Sequence, residues 1–290
     1  MSASQRRTAE EALSEVPLKA RILLSHAHLQ HLANTHGIDI LHIKGYAFGT
    51  DTYPVDRQST DVDVLVRPDH LGAFITALKD AGWKVITTFE SGSDFHHAMT
   101  VYHPTWGLSD VHRYFPGLDA SPEHVFDELW AHRRIKKLGG YECTTVSVVD
   151  ARALVYVHAA RSTSSVKPDV VHLDDVLSEA QMQLVQRRVQ ELNAELAFAA
   201  ARGSLDDFST HRDYLLWKSS SEQVPEYIRW KARLRSARGL RAKASTLRDI
   251  FFVNTDHLAM SLGREPTRQE VREKFFSRFS ALTRIRGKKN

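Results

Sequence analysis

Leu41-His42-Ile43-Lys44-Gly45, a polar loop, and then Arg57-Gln58-Ser59-Thr60-Asp61-Val62-Asp63-Val64-Leu65-Val66 is the stretch that decides the fold. Asp61 and Asp63 alternate with Val62, Val64 and Val66, a period-2 pattern that belongs to a strand with one buried face. Residues i and i+2 of a strand point to the same side, so the two carboxylates are aimed together. Like charges held that close repel unless a cation sits between them. Ligation by carboxylate oxygens suits Mg2+ or Mn2+. The same spacing also marks a strand end with one capping and one solvated Asp, and residues 61–63 alone do not separate the two readings.

Outward from this stretch the pattern alternates between helix and strand. Thr8 and Glu11 form a capping box for a short first helix. Leu18, Ile22, Leu23, Ala27, Leu29, Leu32 and Ala33 then recur at helical spacing up to Gly37. His26, His28, His31 and His36 lie on or near that helix and read as surface histidines. Residues 38–43 form a strand, and Gly45 permits a tight turn and close approach of a phosphate. After the strand at 61–67, Pro68 opens a helix that Gly82 stops. Residues 84–89 form another strand, and 94–103 with 107–114 a hairpin.

Ser121-Pro122-Glu123 opens the next helix, and Gly139-Gly140 turns a hairpin between 134–138 and 141–148. Asp150 is the expected cap of a helix over 151–160. From there the pattern is helical, with a long helix over 180–201, a basic segment over 227–252 and a last helix opened by Thr267 and Glu270. The fold class is therefore α+β, a mixed β-sheet flanked by helices. Residues 1–150 form one domain, which carries the paired carboxylates, and residues 151–290 a mostly helical domain with a basic C-terminal segment.

The arrangement resembles the polymerase-β-like nucleotidyltransferase superfamily, in which a turn after a strand is followed by a loop and Asp-x-Asp. It is more similar to the uncharacterised-nucleotidyltransferase branch, whose Leu-Lys-Gly turn and Arg-x-x-x-Asp-x-Asp-Leu-Leu-Val loop end match Ile43-Lys44-Gly45 and Arg57 to Val66. The resemblance covers roughly residues 38–175. It implies a nucleotidyltransferase-like fold and transfer of a nucleoside monophosphate from an NTP. It further implies a third carboxylate, Asp110, in Leu108-Ser109-Asp110-Val111-His112. Catalysis and metal binding (Mg2+ or Mn2+) would then fall to Asp61, Asp63 and Asp110. Lys44, Gly45, Arg57 and Ser59 would hold phosphates, and His158 and Asp175 (or its neighbour Asp174) match further positions that contact nucleotide or pin two helices. The broader superfamily has Gly-Ser at its turn, so here a lysine charge replaces a hydroxyl. His112 faces the same way as Asp110 and either orients it, meets a phosphate or packs as a hydrogen-bonded histidine.

Composition bounds the partners. With 42% hydrophobic and 26% charged residues the chain is that of a globular protein. No apolar run approaches a membrane span, and the first residues lack the apolar core of a signal peptide. One cysteine, Cys143, excludes an intrachain disulfide and a cysteine zinc cage, and a cytoplasmic setting is expected. Net charge is +4, unevenly spread: residues 226–290 hold 17 Lys/Arg against 6 Asp/Glu, and residues 1–225 hold 22 against 29. Such a basic end is either a solvated helical face or a surface for a polyanion. Three readings of function follow. The first is an Mg2+-dependent nucleotidyltransferase with an unidentified acceptor. The second is a toxin-like nucleotidyltransferase acting on tRNA through the basic segment. The third is a non-catalytic nucleotide-binding module. A metallohydrolase using Asp61, Asp63, Asp110 and His112 stands behind these.

Overall fold

The computed structural model describes residues 16–91, 95–237 and 264–286, with scattered positions between 239 and 262. The Thr8 capping box lies outside the described residues. The chain divides into two compact units, residues 1–155 with 172–193, and residues 156–171 with 194–290.

The first unit is built on a seven-stranded mixed sheet of order β3-β4-β5-β2-β1-β7-β6. Its strands are β1 Ile40–Ile43, β2 Val62–Val66, β3 Lys84–Val85, β4 Ala98–His103, β5 Gly107–His112, β6 Arg134–Leu138 and β7 Tyr141–Thr145. Helix α1 Leu18–Thr35 precedes β1, α2 Leu71–Asp80 follows β2 and α3 Pro122–Ala131 follows β5. The valines of β2 alternate as their spacing demands. Val62, Val64 and Val66 join Ile40, Met99, Val101 and Val111 in one buried cluster with Ile22, Leu29 and Ala33 of α1 and Phe74, Ala77 and Leu78 of α2. Each such side chain removed from water contributes about 1.5–3 kcal/mol, which fixes the register because a one-residue slip would expose the whole set. The opposite face of β2 is thereby committed to Asp63.

Several element ends differ from expectation for identifiable reasons. The strand expected over 84–89 keeps only Lys84–Val85, because beyond it Ile86 and Thr87 both donate to the Thr100 carbonyl and the ladder loses its register. Helix α4 is Val148–Ala159, so Asp150 is not its cap. Ser147 Oγ accepts from the Asp150 amide at 3.1 Å instead. Asp150 is fully buried and takes Arg188 Nε at 2.6 Å. The helix expected over 180–201 is two helices, α6 Glu179–Glu191 and α7 Glu195–Arg202, after α5 Pro168–Val176. The break falls where Asn193 takes a left-handed conformation (φ 51°), which Asn tolerates better than most residues.

The second unit is helical. Tyr156 and Phe198 rings meet at 4.8 Å. Helices α8 Tyr214–Ser221 and α9 Glu226–Ser236 pack together. Arg212 donates to the carbonyls of Arg235, Ser236 and Ala237 and closes the end of α9. The final helix, α10 Arg268–Arg286, begins with the expected capping box, Thr267 N–H donating to Glu270 at 2.7 Å. No helix among the described residues is long and apolar enough to cross a membrane.

Candidate active site

Four strands bring the site together. Ile43 pairs with Asp63 across β1 and β2, Asp63 with Asp110 across β2 and β5, and Asp110 with Thr100 across β5 and β4. Directly paired residues point to one face of a sheet, so Asp63 and Asp110 are neighbours on adjacent parallel strands. His112, two residues beyond Asp110, joins them. One donor atom from each of Asp63, Asp110 and His112 lies within 4.8 Å of the others. Asp61 stands one residue before β2, half-buried, outside this group but close enough for its charge to act on Asp110.

Lys44 directly follows β1 and aims at the carboxylates. Its backbone is at φ 62°, ψ −176°, a region nearly reserved for glycine that costs on the order of 1–3 kcal/mol for other residues. Its Nζ contacts Asp63 Oδ1, with both side chains mostly buried (13% and 7% exposed). His112 Nε2 lies 2.8 Å from the same oxygen. A carboxylate accepts, so Nε2 carries the proton in this pair, and His112 holds Asp63 in place. Ligation of a metal through Nε2 would require that proton to leave.

The two carboxylates are electrostatically unlike. Burial opposes ionisation of Asp63, but Lys44 and His112 overcome it and hold its carboxyl far below the usual range. Asp110 is pushed up to about 6, first by burial and then by the Asp63 charge, against the pull of the Thr100 hydrogen bond at 2.7 Å. Asp61 is also raised, by burial and then by Asp63.

The turn after Lys44 is equally constrained. Gly45 has φ 50°, and a Cβ there would lie 2.6 Å from Ser59 Oγ. Ser59 Oγ donates to the Asp61 carbonyl at 3.0 Å, so this hydroxyl ties the loop to the start of β2. Arg57 is exposed, its guanidinium 5.2 Å from the Tyr53 ring. Lys136 of β6 escaped the sequence reading. Its half-buried ammonium donates to the Tyr46 and Ala47 carbonyls, both at 3.1 Å, and burial, then Arg134, lowers its pKa. Nothing in the Lys-Lys pattern of β6 separates this residue from its exposed neighbour Lys137.

Other expected positions lie elsewhere. Asp175 is exposed on α5. His158 belongs to the second unit, where Arg161 Nη2 donates to its Nδ1 at 2.8 Å. Of the α1 histidines, His26 is not on the surface. It is fully buried, its Nδ1 is 2.9 Å from Nδ1 of His42, and burial lowers its pKa to about 3. His28 is half-buried against the Trp106 ring at 5.0 Å.

The family profile described as "uncharacterised nucleotidyltransferase" matches residues 5–206. The chain belongs to that family. Membership makes the protein a nucleotidyltransferase, and the match spans the Lys-Gly turn, the Asp-x-Asp strand and the Asp110 strand. Among curated proteins there is no match. Among solved structures, the lincomycin-bound lincosamide antibiotic adenylyltransferase LnuA is 17% identical, with a TM-score of 0.33, covering 55% of this chain and 90% of that one. The antibiotic-resistance factor ANT(2'')-Ia, a solution structure, is 13% identical, with a TM-score of 0.35 and coverage of 65% and 95%.

Proposed function

We propose that this nucleotidyltransferase moves a nucleoside monophosphate from an NTP to a hydroxyl-bearing acceptor, with a divalent cation held by Asp63 and Asp110. The observation that carries the reading is the direct pairing of these carboxylates on parallel strands, beside a lysine held at a glycine-like backbone position. The donor set fits such an ion: two carboxylates, with Asp61 adjacent and His112 behind Asp63, are hard ligands of the kind Mg2+ and Mn2+ take. A bound ion would supply the positive charge that binds the triphosphate and lowers the barrier at the reacting phosphorus.

The chain's own residues account for the rest. The acceptor oxygen bonds to the α-phosphorus, the bond from that phosphorus to the bridging oxygen of the β-phosphate breaks, and pyrophosphate leaves. Asp110, with a carboxyl near 6, suits acceptance of the hydroxyl proton around neutral pH. Lys44 and the Gly45 amide face the charge that grows on the leaving pyrophosphate, Arg57 adds a further cation, and Ser59 keeps the loop in register. A cytoplasmic setting, where NTP and Mg2+ are abundant, goes with this reading.

Incubation of the full chain with each α-labelled NTP, Mg2+ and a cell extract tests the proposal. Label in a macromolecule or metabolite, with pyrophosphate released and both lost in Asp63→Asn, supports it. Nucleotide binding without any label transfer would leave the non-catalytic module as the better description. A polynucleotide acceptor is favoured by one observation, the exposed Arg229, Lys231 and Arg235 of α9. Arg238 and Arg241, which extend that basic run in sequence, lie outside the described residues.

A further inference from the structure

We infer that Lys44 is an internal counter-ion which Asp63 exchanges for the metal, so that divalent cation and nucleotide bind as a coupled pair. This rests on the reading that Asp63 and Asp110 hold the cation. Three observations carry it. Lys44 Nζ and His112 Nε2 share a single oxygen, Asp63 Oδ1, with all three side chains mostly or fully buried. The lysine reaches that oxygen from a backbone conformation that glycine would adopt without cost, so its side chain, not its backbone, explains its presence there. Asp110 next to it takes the Thr100 hydroxyl rather than a cation.

An ammonium and a divalent ion on one carboxylate repel each other at a few ångströms, and the burial of Asp63 and His112 weakens the screening of that repulsion by water. Metal arrival therefore displaces Lys44. The displaced ammonium then needs an anion, because a mostly buried cation without a partner is costly. A triphosphate is the anion that a nucleotidyltransferase brings. Metal alone must break the Lys44–Asp63 pair without compensation, whereas metal with nucleotide replaces it by a Lys44–phosphate pair. Coupling is reciprocal: the nucleotide raises metal affinity by the same factor as the metal raises nucleotide affinity.

The test measures Mn2+ binding to the full chain by electron paramagnetic resonance, and binding of α,β-methylene-ATP by calorimetry with and without Mn2+. Wild type is expected to bind Mn2+ weakly alone, and the analogue roughly 5–150-fold more tightly with Mn2+ than without. Lys44→Ala and Lys44→Gly, the second keeping the backbone comfortable at positive φ, should bind Mn2+ alone at least several-fold more tightly than wild type. In both variants most of the coupling should be lost. If both variants fold and bind Mn2+ no more tightly than wild type while Asp63→Asn abolishes binding, the metal site stands and the counter-ion role is overturned. If Asp63→Asn binds Mn2+ like wild type, the metal reading itself falls and this inference with it.

Discussion

Replacing Asp110 by Asn should make the metal-free protein more stable at neutral pH, and the size of the effect follows from the site. The Asp110 carboxyl is raised from an ordinary 3.8 to about 6 by burial and the Asp63 charge. A raised folded value means that the native state keeps a proton the unfolded chain has released, between about pH 4 and 6. Stability from this group is thus fully present below the unfolded value and is lost as pH rises through 6. At about 1.36 kcal/mol per pH unit the whole loss is roughly 3 kcal/mol, and partial solvent access reduces it to about 1–3 kcal/mol. Asn carries no charge at any pH, and its amide oxygen can still accept from Thr100.

The assay is urea unfolding of wild type and Asp110→Asn in EDTA, followed by circular dichroism at pH 4.5 and pH 7.5. Other titrating groups cancel when the two proteins are compared at one pH. The advantage of Asn should be about 1–2 kcal/mol larger at pH 7.5 than at 4.5. Added Mn2+ should reverse the order, because it stabilises only the protein that binds it. An equal difference at both pH values, or a variant less stable than wild type at pH 7.5 without metal, would refute the reasoning.

Asp63→Asn should behave in the opposite sense: its carboxyl is held low, so its stability is present above about pH 4 and is lost as pH falls below it. Removing it strands Lys44, and thermal or urea unfolding at pH 7.5 should show a loss of about 3–5 kcal/mol. Gly45→Ala should weaken NTP binding in calorimetry and cost on the order of 1–3 kcal/mol, since its Cβ would strike Ser59 at an already strained φ. Lys136→Met leaves the Tyr46 and Ala47 carbonyls without their donor, and should raise KM for NTP more than it lowers kcat, with a stability loss of about 1–3 kcal/mol in urea. If RNA is the acceptor, neutralising Lys231 and Arg235 should flatten the log–log salt dependence of RNA binding by roughly one to two units, and an unchanged slope would remove the RNA reading.

Much of the first unit was legible because β2 has to satisfy two demands at once. A strand that buries Val62, Val64 and Val66 on one face places Asp63 on the other, and no other register does so. The hairpin at Pro104-Thr105-Trp106, the Ser121 cap and the Thr267–Glu270 box were readable from local chemistry for the same reason: each is decided within a few residues. What local pattern could not give was anything set by a distant partner. Asp150 looks like a cap until Arg188, 38 positions on, turns it into a buried ion pair. His26 looks like a surface residue until His42 of β1 meets it. Asn193 breaks a helix whose apolar spacing runs through it, and Lys136 is distinguished only by the turn it lies beneath. Spacing alone makes Asp61 and Asp63 an equivalent pair, whereas the strand begins at Val62 and leaves Asp61 on the approach to it.

The contrast between Asp63 and Asp110 bears on how the work of the site is divided. Sequence spacing predicts only that the carboxylates repel, and repulsion alone would make removal of any one of them favourable. Lys44 and His112 break that symmetry. They converge on Asp63 and keep it ionised across the physiological range, which suits a permanent ligand whose charge must not vary. Asp110 receives a hydroxyl rather than a cation, is raised by burial and the Asp63 charge with only partial relief from Thr100 and Lys44, and is left near 6, which suits a group that gives up and takes a proton at neutral pH. Paired carboxylates whose surroundings push their pKa values apart can take different roles in one reaction. Lys44 thus acts on Asp110 in two opposed ways: by keeping Asp63 an anion it preserves the charge that raises Asp110, and its own charge lowers it. Lys44→Ala should therefore lower the affinity of Asp110 for its proton only if Asp63 then becomes neutral. A pH–rate profile of that variant, with its acidic limb displaced relative to wild type, would register the coupling between the two.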